Sequence, residues 1–222
     1  MKEKSRLDNI VETTLQRIQE EVGGLIGAEL ELSYSPGDIV SKEDFFDQPM
    51  GKQVFAKMDM TGDLSGKGGM VVSVKDAIRL GGTLIMLPQS ELEEVVKSEE
   101  YDGETEDSYG EIANIIAGCY TKVCEEMHPK NLRFIRKEQE VITPVKVDIA
   151  SDEPIPDSAY YQVSSPMKLD GKEMGNMVVL IPAEPFGLAP AKQEAQAEQP
   201  EAAGGAEAAV ETPAEAVADT GG

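Results

Sequence analysis

Tryptophan is absent, histidine occurs once and cysteine twice, and aromatic residues make up only 5% of the 222 positions. A lone histidine, His128, cannot supply the ligand set of a catalytic zinc centre. Cys119 and Cys124 lie five residues apart on one predicted helix and point in different directions, so neither a disulfide framework nor a zinc-binding pattern is expected. Reduced thiols fit a cytoplasmic location. Basic residues are scarce too: 20 Lys and Arg stand against 42 Asp and Glu, a formal charge of −22. Nucleic-acid binding needs a basic footprint, and so does attraction to an anionic membrane; both are excluded. No apolar run approaches the roughly 20 residues of a membrane-spanning helix, and the basic N-terminus has no apolar segment behind it, so neither membrane insertion nor a secretory signal is expected.

What remains is a chain with 40% hydrophobic residues, enough for a sizeable aliphatic and Met-rich core. Residues 6–29 read as an amphipathic helix, with Leu7, Ile10, Val11, Leu15, Ile18, Val22, Leu25 and Ile26 at helical spacing. An irregular acidic stretch follows, to Met50. Residues 53–61 alternate as a strand, with Val54, Ala56, Met58 and Met60 on one face. A glycine-rich turn over 62–69 then returns the chain antiparallel through Met70 to Val74. Its glycines match neither G-x-G-x-x-G nor the P-loop spacing, which leaves a hairpin. Residues 76–87 read as a helix ended by Pro88, and a short helix after Ser90 carries a capping-box signal at Glu93. Residues 98–107 form an acidic loop without the EF-hand order. Beyond a helix running to about Met127, strands are predicted over 132–136, 141–149, 160–166 and 177–181.

From Ala189 the composition shifts to Ala, Glu, Pro, Gln and Gly without aromatics. Seven acidic residues against Lys192 give this segment −6 and leave −16 on residues 1–188. It cannot bury enough apolar surface to offset its chain entropy, so disorder is expected over 189–222, with one folded domain over 1–188.

The ordered part echoes itself. Glu20-x-x-Gly23-x-x-x-Gly27 resembles Glu111-x-x-Asn114-x-x-x-Gly118 at an offset of 91, and Gly69-Met-Val-Val72 resembles Asn176-Met-Val-Val179 at 107. A repeat of this kind predicts an α+β fold: each half a helix plus antiparallel strands, joined in one sheet with the long helices on one face.

The helix over 108–127 carries the candidate site. At 100° per residue, Glu111, Asn114, Gly118 and Lys122 share one side, while Ile112, Ile115, Ile116, Cys119 and Val123 form the adjoining apolar stripe. A plain structural account also exists, in which Ser108 caps the helix and Glu111 closes a capping box. On sequence alone Glu111 is either cap or contact residue.

The Asp107-x-x-x-Glu111-x-x-Asn114 pattern, followed by Ile115-Ile-Ala-Gly118, resembles the CheC/CheX/FliY family of bacterial chemotaxis proteins. A single Glu-x-x-Asn helix is the CheX-like arrangement, in which members pair as homodimers. The resemblance implies a phosphatase acting on a phosphorylated CheY-like response regulator. Asn114 would orient the attacking water, and Glu111 would pair with a lysine of the regulator. The protein would need no cofactor of its own, since Mg²⁺ belongs to the regulator. The other function it implies is a non-catalytic adaptor, like those of the flagellar switch, that binds a regulator or motor component without hydrolysis.

Overall fold

The computed structural model describes residues 2–188; the tail from 189 lies outside the described residues. Helix α1 (Lys2–Ile26) leads into a short strand β1 (Leu30–Leu32), then β2 (Asp38–Ser41) and the five-residue α2 (Lys42–Phe46). The hairpin β3 (Gln53–Gly62) and β4 (Gly66–Ser73) is followed by α3 (Val74–Leu84), α4 (Gln89–Ser98) and α5 (Gly103–Met127). Strand β5 (Leu132–Ile142), a 3-10 turn at Pro144–Lys146 and the hairpin β6 (Ala159–Leu169) and β7 (Lys172–Pro182) complete the fold.

All seven strands join one antiparallel sheet in the order β1-β6-β7-β4-β3-β5, with β2 also on β6. The alternation of β3 decides what each face carries. Val54, Ala56, Met58 and Met60 point towards α1, α3 and α5 in the main core. Phe55, between them, points the other way and meets Phe45, Phe46, Val71 and Tyr160 in a second, smaller core. The long helices thus lie on one face, as the α+β expectation requires.

Lys42 shares the short helix α2 with Phe45 and Phe46 of the second core. Its side chain is fully buried, and its ammonium donates to the carbonyls of Asp148 (3.2 Å), Ser151 (2.6 Å) and Glu153 (3.1 Å). One cation thereby ties α2 to the loop before β6. Because it is hydrogen-bonded three ways, its burial is tolerable.

The repeat is real in the topology, though not in the helix alignment read from the sequence. An offset of 107 carries Val71 onto Val178, and these two residues are each other's partners at the β4–β7 junction. The pseudo-dyad passes through that pair. The same offset carries Gly62 onto Leu169, which pair with Leu132 and Leu30 respectively, so the helix ends correspond at 102 rather than 91. At 102, buried Ile10, Val11 and Ile18 of α1 fall on buried Ile112, Ala113 and Tyr120 of α5. Gly23 is buried in α1 and is not the counterpart of Asn114.

Other expectations need correction. The glycine turn is only three residues long, because Gly66, Gly68 and Gly69 already pair in β4 with Met60, Met58 and Lys57. A Cβ at Gly68 would lie 2.1 Å from the Leu180 carbonyl oxygen, so close strand packing, not a turn, explains that glycine. The predicted strands 132–136 and 141–149 are one strand ending at Ile142. Residues 137–140 are polar because this is the sheet edge, where Glu138 and Glu140 both pair with Lys57. No capping box forms at Ser90: Pro88 occupies the cap position, and Glu93 accepts from the Gln89 side-chain amide. The acidic stretch before Met50 contains β2 and α2, the latter capped by the Ser41 hydroxyl, which accepts from the Asp44 N–H at 3.0 Å.

Candidate functional site

Helix α5 begins at Gly103, five residues before the start read from the sequence. Asp107 is therefore inside the helix, and the residues taken as an acidic loop supply its first turn, where Glu104 and Glu106 complement the positive helix end. Ser108 is not a cap. Its hydroxyl is buried and donates to the Glu104 carbonyl one turn back. This removes the capping-box account of Glu111.

Glu111 and Asn114 are both exposed, and neither side chain hydrogen-bonds to any described residue. Asp107, Glu111, Asn114 and Lys122 form one solvent-facing line at spacings of four, three and eight, with half-exposed Gly118 between the last two. The opposite side is broader than the stripe read from sequence. Tyr109, Ala113, Ala117, Tyr120 and Cys124 are buried beside Ile112, Ile116, Cys119 and Val123, whereas Ile115 is only partly covered.

Three neighbouring elements hold this helix along its length. Towards α3, Gly81 sits so close that a Cβ there would lie 2.6 Å from the Thr105 carbonyl oxygen. Towards β5, Gln139 donates to the Glu106 carbonyl (2.8 Å) and the Tyr101 hydroxyl (2.7 Å) and accepts from Arg136, whose guanidinium lies over Gly110. Further along, the Thr121 hydroxyl accepts from the Phe134 N–H at 2.8 Å. Towards α1, Lys122 reaches both Glu21 oxygens (2.9 and 3.0 Å), and Arg17 pairs with Glu126. The Glu21 hydrogen bond raises the pKa of Lys122. These ion pairs run antiparallel, so α1 and α5 cross through their C-terminal halves while the Asn114 half extends past the crossing. A carboxamide on such a helix is held in place far better than one on a loop.

Gly118 has no atom within 4 Å of where its Cβ would be. The fold does not require glycine there, and a helix-interior glycine costs roughly 0.5–1 kcal/mol relative to alanine. Gly118→Ala is therefore expected to raise unfolding stability by about that amount in urea titration. A loss of stability would show that something in the fold does depend on the glycine.

The structural counterparts of Glu111 and Asn114 on α1 are Asn9 and Glu12, both exposed. Sequence matching missed them because the two polar residues appear in reversed order; the buried pattern at offset 102 was the signal that could have found them. Where α5 offers a neutral carboxamide, α1 offers a carboxylate. At this position only the second half has an asparagine; the asparagine of α1, Asn9, stands where α5 has Glu111.

The cysteines do not compete as nucleophiles. Burial pushes the thiols of Cys119 and Cys124 up to about 12, with the Glu21 charge adding to the effect at Cys119. Thiols held neutral at physiological pH are unreactive. Among the described residues no three His, Cys, Asp or Glu side chains converge as a metal site, and no helix is long and apolar enough to cross a membrane.

An α+β domain with a seven-stranded antiparallel sheet, paired long helices on one face and an exposed Glu-x-x-Asn line defines the class. No protein-family model matches the chain, and no curated protein matches it by sequence. Solved structures do match. The chain superposes on FliY of Thermotoga maritima with a TM-score of 0.70 and 15% identity, over 84% of this chain and 92% of that one. The FliM middle domains of Vibrio alginolyticus (TM-score 0.63, 13% identity, 82% and 96% covered) and H. pylori (0.60, 10%, 84% and 95%) match as well. The chain thus has the fold of FliY, a member of the CheC/CheX/FliY family whose motif α5 resembles, and of the FliM middle domain.

Proposed function

We propose that the protein is a phosphatase for the aspartyl phosphate of a CheY-like response regulator, with Asn114 as the catalytic residue and Glu111 as the docking contact. The observation that carries this is the Asn114 carboxamide: exposed, unpartnered, and fixed on a helix held from three sides. The FliY-like fold supports it.

An acyl phosphate is already activated, and the regulator supplies the Mg²⁺ that spreads its charge. Little remains for a second protein except to hold a water in line with the departing oxygen. A carboxamide suits that task, because it can accept from the water and donate to a phosphoryl oxygen without adding negative charge. Glu111, one turn earlier, would pair with a lysine beside the phosphorylated aspartate and set the register. Gly118, one turn later, leaves the helix bare for close approach. In this account Gly118→Ala, although stabilising, slows dephosphorylation.

The test follows the decay of a phosphorylated, Mg²⁺-loaded stand-alone receiver protein with and without the full chain. Accelerated phosphate release supports the phosphatase. A second function, a non-catalytic adaptor, draws on the FliM middle domain sharing this fold, FliM being seen in complexes with FliG and with SpeE. Phosphorylation-dependent binding with no change in decay rate favours the adaptor.

A further inference from the structure

A groove of about 710 Å³ lies away from the Glu111–Asn114 line, between α3, α4 and the β6–β7 turn. Its floor is apolar: Leu87, Leu92, Val96, Leu169 and Met174. Met86 stands at its mouth, 87% exposed, on left-handed backbone with a φ of 57°. A non-glycine residue in that conformation costs on the order of 1 kcal/mol, and here the strain displays a bare thioether to solvent.

The rim carries four cations against three carboxylates, in a chain that is otherwise strongly acidic. Lys75, Arg79, Lys97 and Lys172 line it against Glu93, Asp170 and Glu173. Two of the cations are engaged, Lys75 with Glu99 and Arg79 with Asp76. Asp170 accepts from the Glu29 N–H and Glu93 from the Gln89 amide, neutral donors that tie these carboxylates to the fold without cancelling their charge. Lys97 and Lys172 are exposed and pair with no described residue. An apolar floor between two free lysines fits a peptide that alternates aliphatic and acidic side chains.

The chain contains such a peptide. After Gly204-Gly205, residues 207–217 hold the only two branched aliphatics of the tail, Val210 and Val217, with Glu207, Glu211 and Glu215 among and before them. Residues 189–222 carry seven acids and one lysine. The described chain ends at Leu188, packed on the helix-side core. From there to residue 207 the backbone spans up to about 60 Å when extended, against a diameter of about 40 Å for a domain of this size. The tail can reach the groove on its own molecule.

We propose that residues 207–217 dock in cis into this groove, with Val210 and Val217 on its apolar floor and Glu211 and Glu215 against Lys97 and Lys172. The interaction is independent of the phosphatase assignment. A short tether makes the local concentration of the tail roughly millimolar, so weak contacts suffice.

The test is zero-length carbodiimide cross-linking of the full chain, mapped by mass spectrometry on an equal mixture of ¹⁴N- and ¹⁵N-labelled protein. Links from Lys97 or Lys172 to Glu211 or Glu215 are expected within singly labelled species, with a yield unchanged over roughly a hundredfold dilution. They are expected to fall several-fold in a Val210→Ser/Val217→Ser chain, which keeps every reactive amine and carboxyl group. Links joining light to heavy chains would assign the groove to the tail of a second copy and overturn docking in cis. Absence of these links, or a yield indifferent to the valine replacements, would overturn occupation by the tail altogether.

Discussion

Asn114→Ala is expected to lower the rate at which the protein accelerates aspartyl-phosphate decay by on the order of 10²-fold, the usual scale for losing the positioning of one reactant. The loss should fall on the maximal rate rather than on the receiver concentration giving half of it, because docking rests on Glu111 and on the shape of the helix. Asn114→Asp is the more searching variant. It preserves size but sets a carboxylate against the phosphoryl oxygens, as Glu12 would on α1, so it should be at least as slow as the alanine variant. Glu111→Ala should move the half-saturating concentration instead. Neither side chain makes a hydrogen bond or ion pair with a described residue, so the stability of these variants should stay within about 0.5 kcal/mol of the parent protein. Equal phosphate release by the parent protein and Asn114→Ala would end the proposed mechanism.

Lys42→Met is expected to produce the largest stability loss, about 3–5 kcal/mol, read from the midpoint and slope of urea unfolding. Methionine fills most of the space but offers no donor, so the carbonyls of Asp148, Ser151 and Glu153 lose a shared charge-assisted partner. The damage lies on the sheet face opposite α5. A Lys42→Met chain still folded at low temperature should therefore retain phosphatase activity, separating stability from chemistry. A loss below about 1 kcal/mol would mean that water replaces the ammonium without penalty.

Period and polarity explain which parts of this fold were legible in the sequence. The main helices and the β3 alternation were visible because each sets one continuous apolar face against the same core. The Glu111–Asn114–Gly118–Lys122 line was legible for the same reason: its neighbours on the helix are buried. The α5 start was misplaced because Glu104, Glu106 and Asp107 resemble a solvated loop, yet a helix N-terminus stabilises those very charges. Strand β5 was split because an edge strand needs no apolar face along its outer stretch. Lys42 gave no signal, since a buried lysine is defined by three carbonyls 106 to 111 residues away. The true partnering of α1 and α5 emerged only from the strand registers, which fix correspondence where short matches mislead.

The crossed pairing around Val71 and Val178 also governs how the site comes into being. Strand β5, which anchors the Asn114 helix, pairs with β3 from the other half, while β1 pairs with β6, some 139 residues away. Neither half closes its own sheet, so the pairings that complete it carry a high contact order and form late, after costly loop closure. Residues 103–188 expressed alone would leave β5 with both edges unpaired and α5 without its floor. The platform that displays Asn114 is thus a property of the whole chain, assembled only when its most distant strands have met.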